Sequence, residues 1–247
     1  MTAKAKPAPR RALVTGAAKG IGAAIAHRLA VQGCEVVVAD RDGAGAESVA
    51  RAIGGRSAAL DVTDFERVRA LAAEAGPFAI VVNNAGVDQH AFFTDMPEAE
   101  WRRLLEVNLV AVLAVVQATL PAMQAARFGR IVNIASEAAR LGSKGGAVYA
   151  AAKGGVIAFT KSIARENARF GVTANCVAPG PIDTPMLHAG MAEVGAKLKD
   201  AVVAATLLKR LGTPDEVAAA VAFLTSDEAG YITGETIGVS GGMGLGA

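Results

Sequence analysis

The stretch LVTGAAKGIGAAIAHRLA, residues 13–30, begins as a short apolar run, passes glycines at 16, 20 and 22, and continues as an alanine-rich helical pattern. A strand that feeds a helix through a glycine-rich turn is the usual first unit of an open, doubly wound α/β sheet. Glycine has no Cβ, so the backbone can turn sharply there and approach a phosphate closely. The helix start then offers N–H groups and the positive end of its dipole to that phosphate. The same turn also occurs as an ordinary tight connection, so its meaning rests on the residues beyond it.

Beyond the helix comes a second apolar run, EVVVAD (35–40), that closes on Asp40, 20 residues past Gly20. A carboxylate at that place accepts hydrogen bonds from the hydroxyls of an adenosine ribose. A nucleoside-binding methyltransferase would share both features, so together they specify a ligand and not a reaction. Asp40 would repel a 2′-phosphate, which favours NAD over NADP, although Lys19 and Arg41 carry charge that works the other way.

Further β-rich runs lie at 12–16, 57–60, 79–84, 130–136 and 172–179, with a last one beginning near 235. The central runs are continuously apolar, as strands are when helices cover both faces of a parallel sheet. Helical patterns fall near 21–32, 44–53, 64–75, 98–126, 150–170 and 214–225, with Asp64 and Asp215 placed to cap or to complement first turns. Strand and helix alternate throughout, which predicts a single doubly wound α/β domain over 1–247 with right-handed crossovers. Two segments stand outside the rhythm: a basic, flexible tail at 1–10, and residues 181–212, too long for a plain connection and expected to form a lid.

Hydrophobic residues make up 52% of the 247 and charged ones 19%, enough for a large core and too apolar for disorder. Without Lys4, Lys6, Arg10 and Arg11 the net charge of +2 becomes 21 basic against 23 acidic residues, which argues against a nucleic-acid partner. No signal peptide is expected, and the apolar run at 109–116 is far shorter than the ~20 residues that span a bilayer. Cys34 and Cys176 cannot build a disulfide framework and read as small buried hydrophobes. These readings lead to the expectation of a cytoplasmic protein without a membrane partner.

Two chemically capable residues stand in the bare stretch GGAVYAAAKGGV (145–156), Tyr149 and Lys153. At i and i+4 of a helix they share one face, about 5–6 Å apart at Cβ. A free tyrosine, with a pKa near ~10, is a poor base at neutral pH; a fixed ammonium beside it stabilises the phenolate and makes it a usable acid/base. Ser136 ends the run RIVNIAS at the sheet edge where ligands bind, placed either to hold a substrate oxygen or to cap a turn. Asn108 lies on the apolar stripe of Trp101, Leu104, Leu105, Val112, Val115 and Val116. A buried amide must find partners, so Asn108 either bridges to another element or holds a water.

Taken in order, TGAAKGIG, NNAG (83–86), IVNIAS, YAAAK, APG (178–180) and GYITGETIGVSGG resemble the short-chain dehydrogenase/reductase family along nearly the whole chain. The resemblance implies a Rossmann-type seven-stranded parallel sheet flanked by helices. It makes Tyr149 the acid/base and Lys153 the group that lowers its pKa and bonds the nicotinamide ribose. Ser136 would orient the substrate oxygen, and Asn108 would hold a water linking Lys153 to solvent. Cofactor contacts carry over to Gly16, Ala18, Lys19, Gly20, Ile21 and Gly22, to Asp40 and Arg41, and to Asp61 and Val62 beside the adenine. Asn84, Ala85 and Gly86 would line the cleft, and Pro179, Gly180, Ile182 and Thr184 would grip the carboxamide. No metal is implied, and a homotetramer or homodimer is.

In such enzymes the pocket wall comes from the residue after the serine, the loop after NNAG and the lid. Here these are Glu137, residues 87–93, and Met186, Leu187 and His188. Phe92, Phe93 and Met186 suggest an apolar substrate body, and Gln89, His90 or Glu137 a polar contact. The first expectation is an NAD-dependent dehydrogenase of a secondary alcohol, such as an aryl alkyl carbinol, giving its ketone. The alternative is a 3-hydroxyacyl-CoA dehydrogenase or 3-ketoacyl reductase, with Arg140 and Lys144 meeting CoA phosphates. A nucleotide-sensing protein that keeps the fold without turnover is the reading outside enzymology.

Overall fold

A computed structural model describes residues 9–194 and 197–246. Seven strands form one parallel sheet in the order β3-β2-β1-β4-β5-β6-β7. They are β1 (Arg11–Thr15), β2 (Glu35–Asp40), β3 (Arg56–Ala59), β4 (Ile80–Asn83), β5 (Gly129–Ile134), β6 (Val172–Pro179) and β7 (Thr236–Val239). Each strand sends alternate side chains to opposite faces, and both faces are apolar because both are covered. One face carries Val14, Val38, Val82 and Val132 against Ile25, Leu29, Val221 and Leu224. The other carries Leu13, Val37, Val81 and Ile131 against Val68, Leu71, Val115 and Met123.

The first layer consists of α1 (Gly20–Val31), α2 (Gly43–Ile53) and α10 (Pro214–Thr225). The second is built from α3 (Phe65–Ala75), α5 (Ala111–Ala126), which continues α4 (Glu98–Leu105), and α7 (Ala147–Asn167). A short α6 (Ala138–Leu141) links β5 to α7. The expected cap at Asp64 accepts from Arg67 N at 3.0 Å, and Asp42, absent from the sequence expectation, caps α2 by accepting from Gly45 N; such caps contribute about 1 kcal/mol each. For α10 the cap is Thr213, in a capping box with Glu216, and Asp215 takes the first turn.

The helical stretch Glu98–Ala126 has 29 residues, with a mean hydropathy of 1.8 over its most apolar 18, long and apolar enough by composition to cross a bilayer. Here its apolar side packs on the sheet through Val112, Val115, Val116 and Met123, as the side of a core helix does. At Glu106–Val110 the helix widens into a π turn. Asn108 is the cause: its Nδ2 donates to Leu104 O at 3.0 Å, the carbonyl its own N–H would take in an α-helix.

Residues 181–212 fold as α8 (Pro185–Val194) and α9 (Lys197–Ala204). The ends of this insertion are stitched together: Ile182 bridges Gly212, and Asp183 N donates to Gly212 O at 2.8 Å. Of the expected N-terminal tail, residues 1–8 lie outside the described residues. Arg10 does not belong to a free tail, because it pairs with Asp227 at 2.7 Å and lies over the Phe128 ring.

Candidate active site

Strand order reverses between β1 and β4, and a doubly wound sheet binds its ligand at the carboxyl ends there. Thr15, absent from the sequence expectation, joins the two strands. Its Oγ1 accepts from Asn84 N and Ala85 N, both at 3.1 Å. Asn84 reaches back and donates Nδ2 to Gly16 O at 2.8 Å. A Cβ on Gly16 would sit 2.6 Å from Ala85 Cα, and one on Gly22 would sit 2.2 Å from Gly16 O. Both glycines are therefore required by the packing of the turn itself. Gly20 differs: its φ is +57, and a Cβ there would meet only Thr184 and Pro185, at 3.6 Å and beyond. Lys19, at the start of α1, makes no side-chain cap, which leaves the first N–H groups and the dipole of the helix to the cleft near Thr184 and Pro185. This cradle fits a dinucleotide pyrophosphate.

The outer cofactor positions fall around that cleft. Ala18 N donates to Asp40 Oδ2 at 2.9 Å, and Asp42 N donates to Asp40 Oδ1 at 3.0 Å, while Lys19 and Arg41 stay exposed on either side. Asp61 accepts from Thr63 N and Oγ1, and these hydrogen bonds hold its carboxyl below the usual aspartate range. Val62 is buried, Ile21 packs on the core, and Gly180, beyond Pro179, donates to Val239 O at 3.1 Å. Thr184 Oγ1 accepts from Leu187 N at 3.3 Å and so starts α8.

At the end of β5 and the start of α7 the chemical residues meet. The Ser136 hydroxyl lies near enough to Tyr149 to act on its phenol, and Lys153 Nζ lies 5.8 Å from the Tyr149 ring centre. Lys153 is buried and donates to Ile134 O at 2.9 Å. Ser136 Oγ also accepts from Ala138 N at 3.1 Å, so it caps the turn into α6 as well. Desolvation raises the Tyr149 pKa above the ordinary tyrosine value, Asp88 adds to the rise, and the Ser136 hydrogen bond opposes it. Burial pushes Lys153 down to about 8, against the pull of Cys176 and Asp88. The free protein therefore holds Tyr149 protonated at neutral pH, the state a proton donor needs.

Asn108 is fully buried and bridges: Nδ2 donates to Val87 O at 3.0 Å, and Oδ1 accepts from Val87 N at 3.1 Å. A Cβ on Gly86 would meet Asn108 Oδ1 at 2.8 Å and Lys153 Nζ at 3.5 Å, so both polar groups border the same backbone. Asn108→Leu removes the partners of both Val87 groups and is expected to cost about 1–3 kcal/mol. Urea unfolding checks this as a lower midpoint at unchanged slope; an unchanged midpoint would count against the bridge.

The expected substrate wall divides. Phe92, Phe93 and Met186 are exposed, with Lys144 Nζ 6.0 Å from the Phe92 ring centre. Leu187 N serves the turn at Thr184, and His188 pairs with Asp183 at 2.7 Å. Glu137 is buried, with Oε1 3.3 Å from Arg140 Nη1, and it lies against Gly238 and Gly244 instead of forming an open wall. The Gln89 amide is engaged at the start of α7, and His90 packs on Gly190 of α8. Asp88, which acts on both Tyr149 and Lys153, carries no mark in the sequence that sets it apart.

A nucleotide cradle at the strand reversal and a Ser–Tyr–Lys cluster at the adjoining sheet edge define a dinucleotide-dependent oxidoreductase. A family model described as enoyl-(acyl carrier protein) reductase matches residues 16–244, and the chain belongs to the short-chain dehydrogenase/reductase family. The 3-oxoacyl-[acyl-carrier-protein] reductase FabG of Vibrio cholerae is 45% identical, over 94% of this chain and 96% of the relative. Nodulation protein G of Azospirillum brasilense is 41% identical, over 94% and 97%. Among solved structures, ribose-5-phosphate isomerase of Brucella melitensis superposes with a TM-score of 0.92 at 37% identity, covering 98% of this chain and 95% of the other. A putative gluconate dehydrogenase of Agrobacterium tumefaciens gives 0.89 at 31%, covering 96% and 97%.

The matches with 3-oxoacyl-[acyl-carrier-protein] reductases overturn the NAD preference expected from Asp40. The geometry supplies a physical reason. Both oxygens of Asp40 are engaged by backbone N–H groups, one from Ala18 in the glycine turn and one from Asp42 just beyond β2, which disperse the charge expected to exclude a phosphate.

Proposed function

We propose that the chain reduces the 3-oxo group of an acyl thioester to the 3-hydroxy compound, with NADPH as hydride donor. One observation carries this reading: two hydroxyls, Ser136 and Tyr149, lie near enough to act on each other, with a buried ammonium beside them. Two such donors suit one carbonyl oxygen. Ser136 orients that oxygen, and Tyr149 donates its proton as negative charge develops there. A dinucleotide held in the cradle of Gly16, Gly20 and Gly22 would supply the hydride for the carbonyl carbon. The Tyr149 phenolate left behind is stabilised by Lys153 and regains its proton along the side of the site that Asn108 and Gly86 border.

This reading fits the relatives better than an aryl-alcohol dehydrogenase does. The exposed apolar lip of Phe92, Phe93 and Met186 suits an acyl chain, and Lys144 above it suits a phosphate on the thioester's arm. Lys19 and Arg41 would face the 2′-phosphate of the dinucleotide. Exposed apolar side chains on α5 (Leu113), on α10 (Phe223) and ahead of β7 (Tyr231) suit a homo-oligomer, for which we propose a tetramer.

The test is a substrate panel of 3-oxoacyl thioesters against aryl alkyl ketones, followed by the loss of reduced nicotinamide absorbance. Higher kcat/KM for the thioesters is expected, and preference for the aryl ketones would refute the substrate class. The pH dependence is a second check. Reduction needs protonated Tyr149 and charged Lys153, and kcat/KM reports the free enzyme. It should be flat below the Lys153 pKa of about 8 and fall roughly tenfold per pH unit above it. A rate that climbs through this range would mean that the phenolate is the required form.

A further inference from the structure

We propose that Gln89 is a positioning residue for catalysis, holding Tyr149 by its own backbone. Residue 146, at the start of α7, is a glycine and gives the helix no side-chain cap. The first N–H groups of a helix need acceptors, and two of them find one far away in sequence. Gln89 Oε1 accepts from Val148 N and from Tyr149 N, both at 3.0 Å, across 59 and 60 residues. Its Nε2 donates to Ala91 O at 2.9 Å, which fixes the amide in that orientation. The side chain is 6% exposed, so water does not compete well for these bonds.

The loop bearing Gln89 is itself pinned on both sides. Val87 exchanges two hydrogen bonds with Asn108, and the His90 ring occupies the space where a Cβ on Gly190 would stand, 2.6 Å away. The loop after the cofactor-lining segment thus forms a strut from the π turn and α8 to the first turn of α7. The catalytic hydroxyl projects from that turn, so a shift of the helix start moves the proton donor relative to the carbonyl it serves. Misplacement by about 1 Å at a reacting centre costs on the order of 100-fold in rate. This role rests on Tyr149 being the acid of the proposed reaction.

The test compares Gln89→Leu and Gln89→Glu with the wild type and with Tyr149→Phe, in ketone reduction and in NADPH binding. Gln89→Leu removes both acceptors and is expected to lower kcat about 10- to 100-fold, with KM for NADPH little changed. Gln89→Glu keeps the acceptors but sets a carboxylate oxygen against Ala91 O, so most of the lost kcat should return. Its new charge joins Asp88 near Tyr149 and Lys153, with Ser136 the neutral neighbour and His90 the next titratable group of the loop. The alkaline limb of the Gln89→Glu profile should therefore move to higher pH, while the loss of kcat in Gln89→Leu at little-changed KM for NADPH is what a purely structural role would not produce. Wild-type kcat in Gln89→Leu, or equal losses of kcat and NADPH binding, would overturn the proposal. Should Gln89→Leu fail to fold, a Gln89→Glu protein that keeps the acceptors and binds NADPH normally, yet loses kcat about 100-fold, would overturn it as well. An active Tyr149→Phe would instead refute the acid itself, which separates the two failures.

Discussion

Tyr149→Phe is expected to lower kcat for ketone reduction about a thousandfold, within the range usual for a general acid, while NADPH binding stays within about twofold of wild type. The change deletes one hydroxyl and no packing volume. Ser136 keeps its turn hydrogen bond from Ala138 N, and Gln89 keeps the Tyr149 backbone N–H. The loss is that of a proton held in a desolvated place next to a second hydroxyl and an ammonium. Stopped-flow kinetics with saturating NADPH separates the chemical step from binding. A chemical step as fast as in wild type would require another donor, and a protein that only senses nucleotide would show no turnover in either form.

Lys153→Met should be nearly as damaging, about 100- to 1,000-fold in kcat/KM, and its signature differs. Methionine preserves most of the buried volume while removing the charge that burial already disfavours. Ile134 O loses a donor, but relief of the desolvation opposes that loss, so stability should stay within about 1 kcal/mol of wild type. The pH profile should lose the limb at about 8 that Lys153 supplies. Unfolding in urea and kcat/KM against pH check the two halves. A Lys153→Met protein that keeps the alkaline limb would reassign that limb to another group.

The parts of the site that obey local rules are legible in the sequence. Tyr149 and Lys153 share a helix face because of a spacing, and β1, the glycine turn and α1 come from a pattern of residue types in a row. Asp40 shows where such reading fails. Its place at the end of β2 is plain, but the strength of its charge depends on which N–H groups reach it. Those belong to Ala18 and Asp42, set by a turn geometry that no composition reveals. Gln89 is obscured for a related reason: its partners lie 59 and 60 residues away, so it reads as a loop side chain facing substrate. The π turn is likewise hidden. Asn108 announces itself as a polar residue on an apolar stripe, which predicts a bridge, but its capture of Leu104 O is a matter of rotamer. Thr15 offers only the weak signal of a small hydroxyl at a strand end, and Asp88 stands in a segment that reads as pocket wall.

Every step of the proposed reaction depends on one buried proton donor that serves the oxygen of a 3-oxoacyl group. The matching family model carries the description of an enoyl reductase, whose substrate would present a carbon–carbon double bond in place of that oxygen. A decisive assay offers the purified enzyme 3-oxoacyl and 2-enoyl thioesters of equal chain length, each with NADPH, and records initial rates of NADPH loss. Turnover of the 3-oxoacyl thioester, absent in Tyr149→Phe, with little or none of the 2-enoyl thioester, is the expected result. Turnover of the enoyl thioester alone would show that the donor does not serve a carbonyl oxygen.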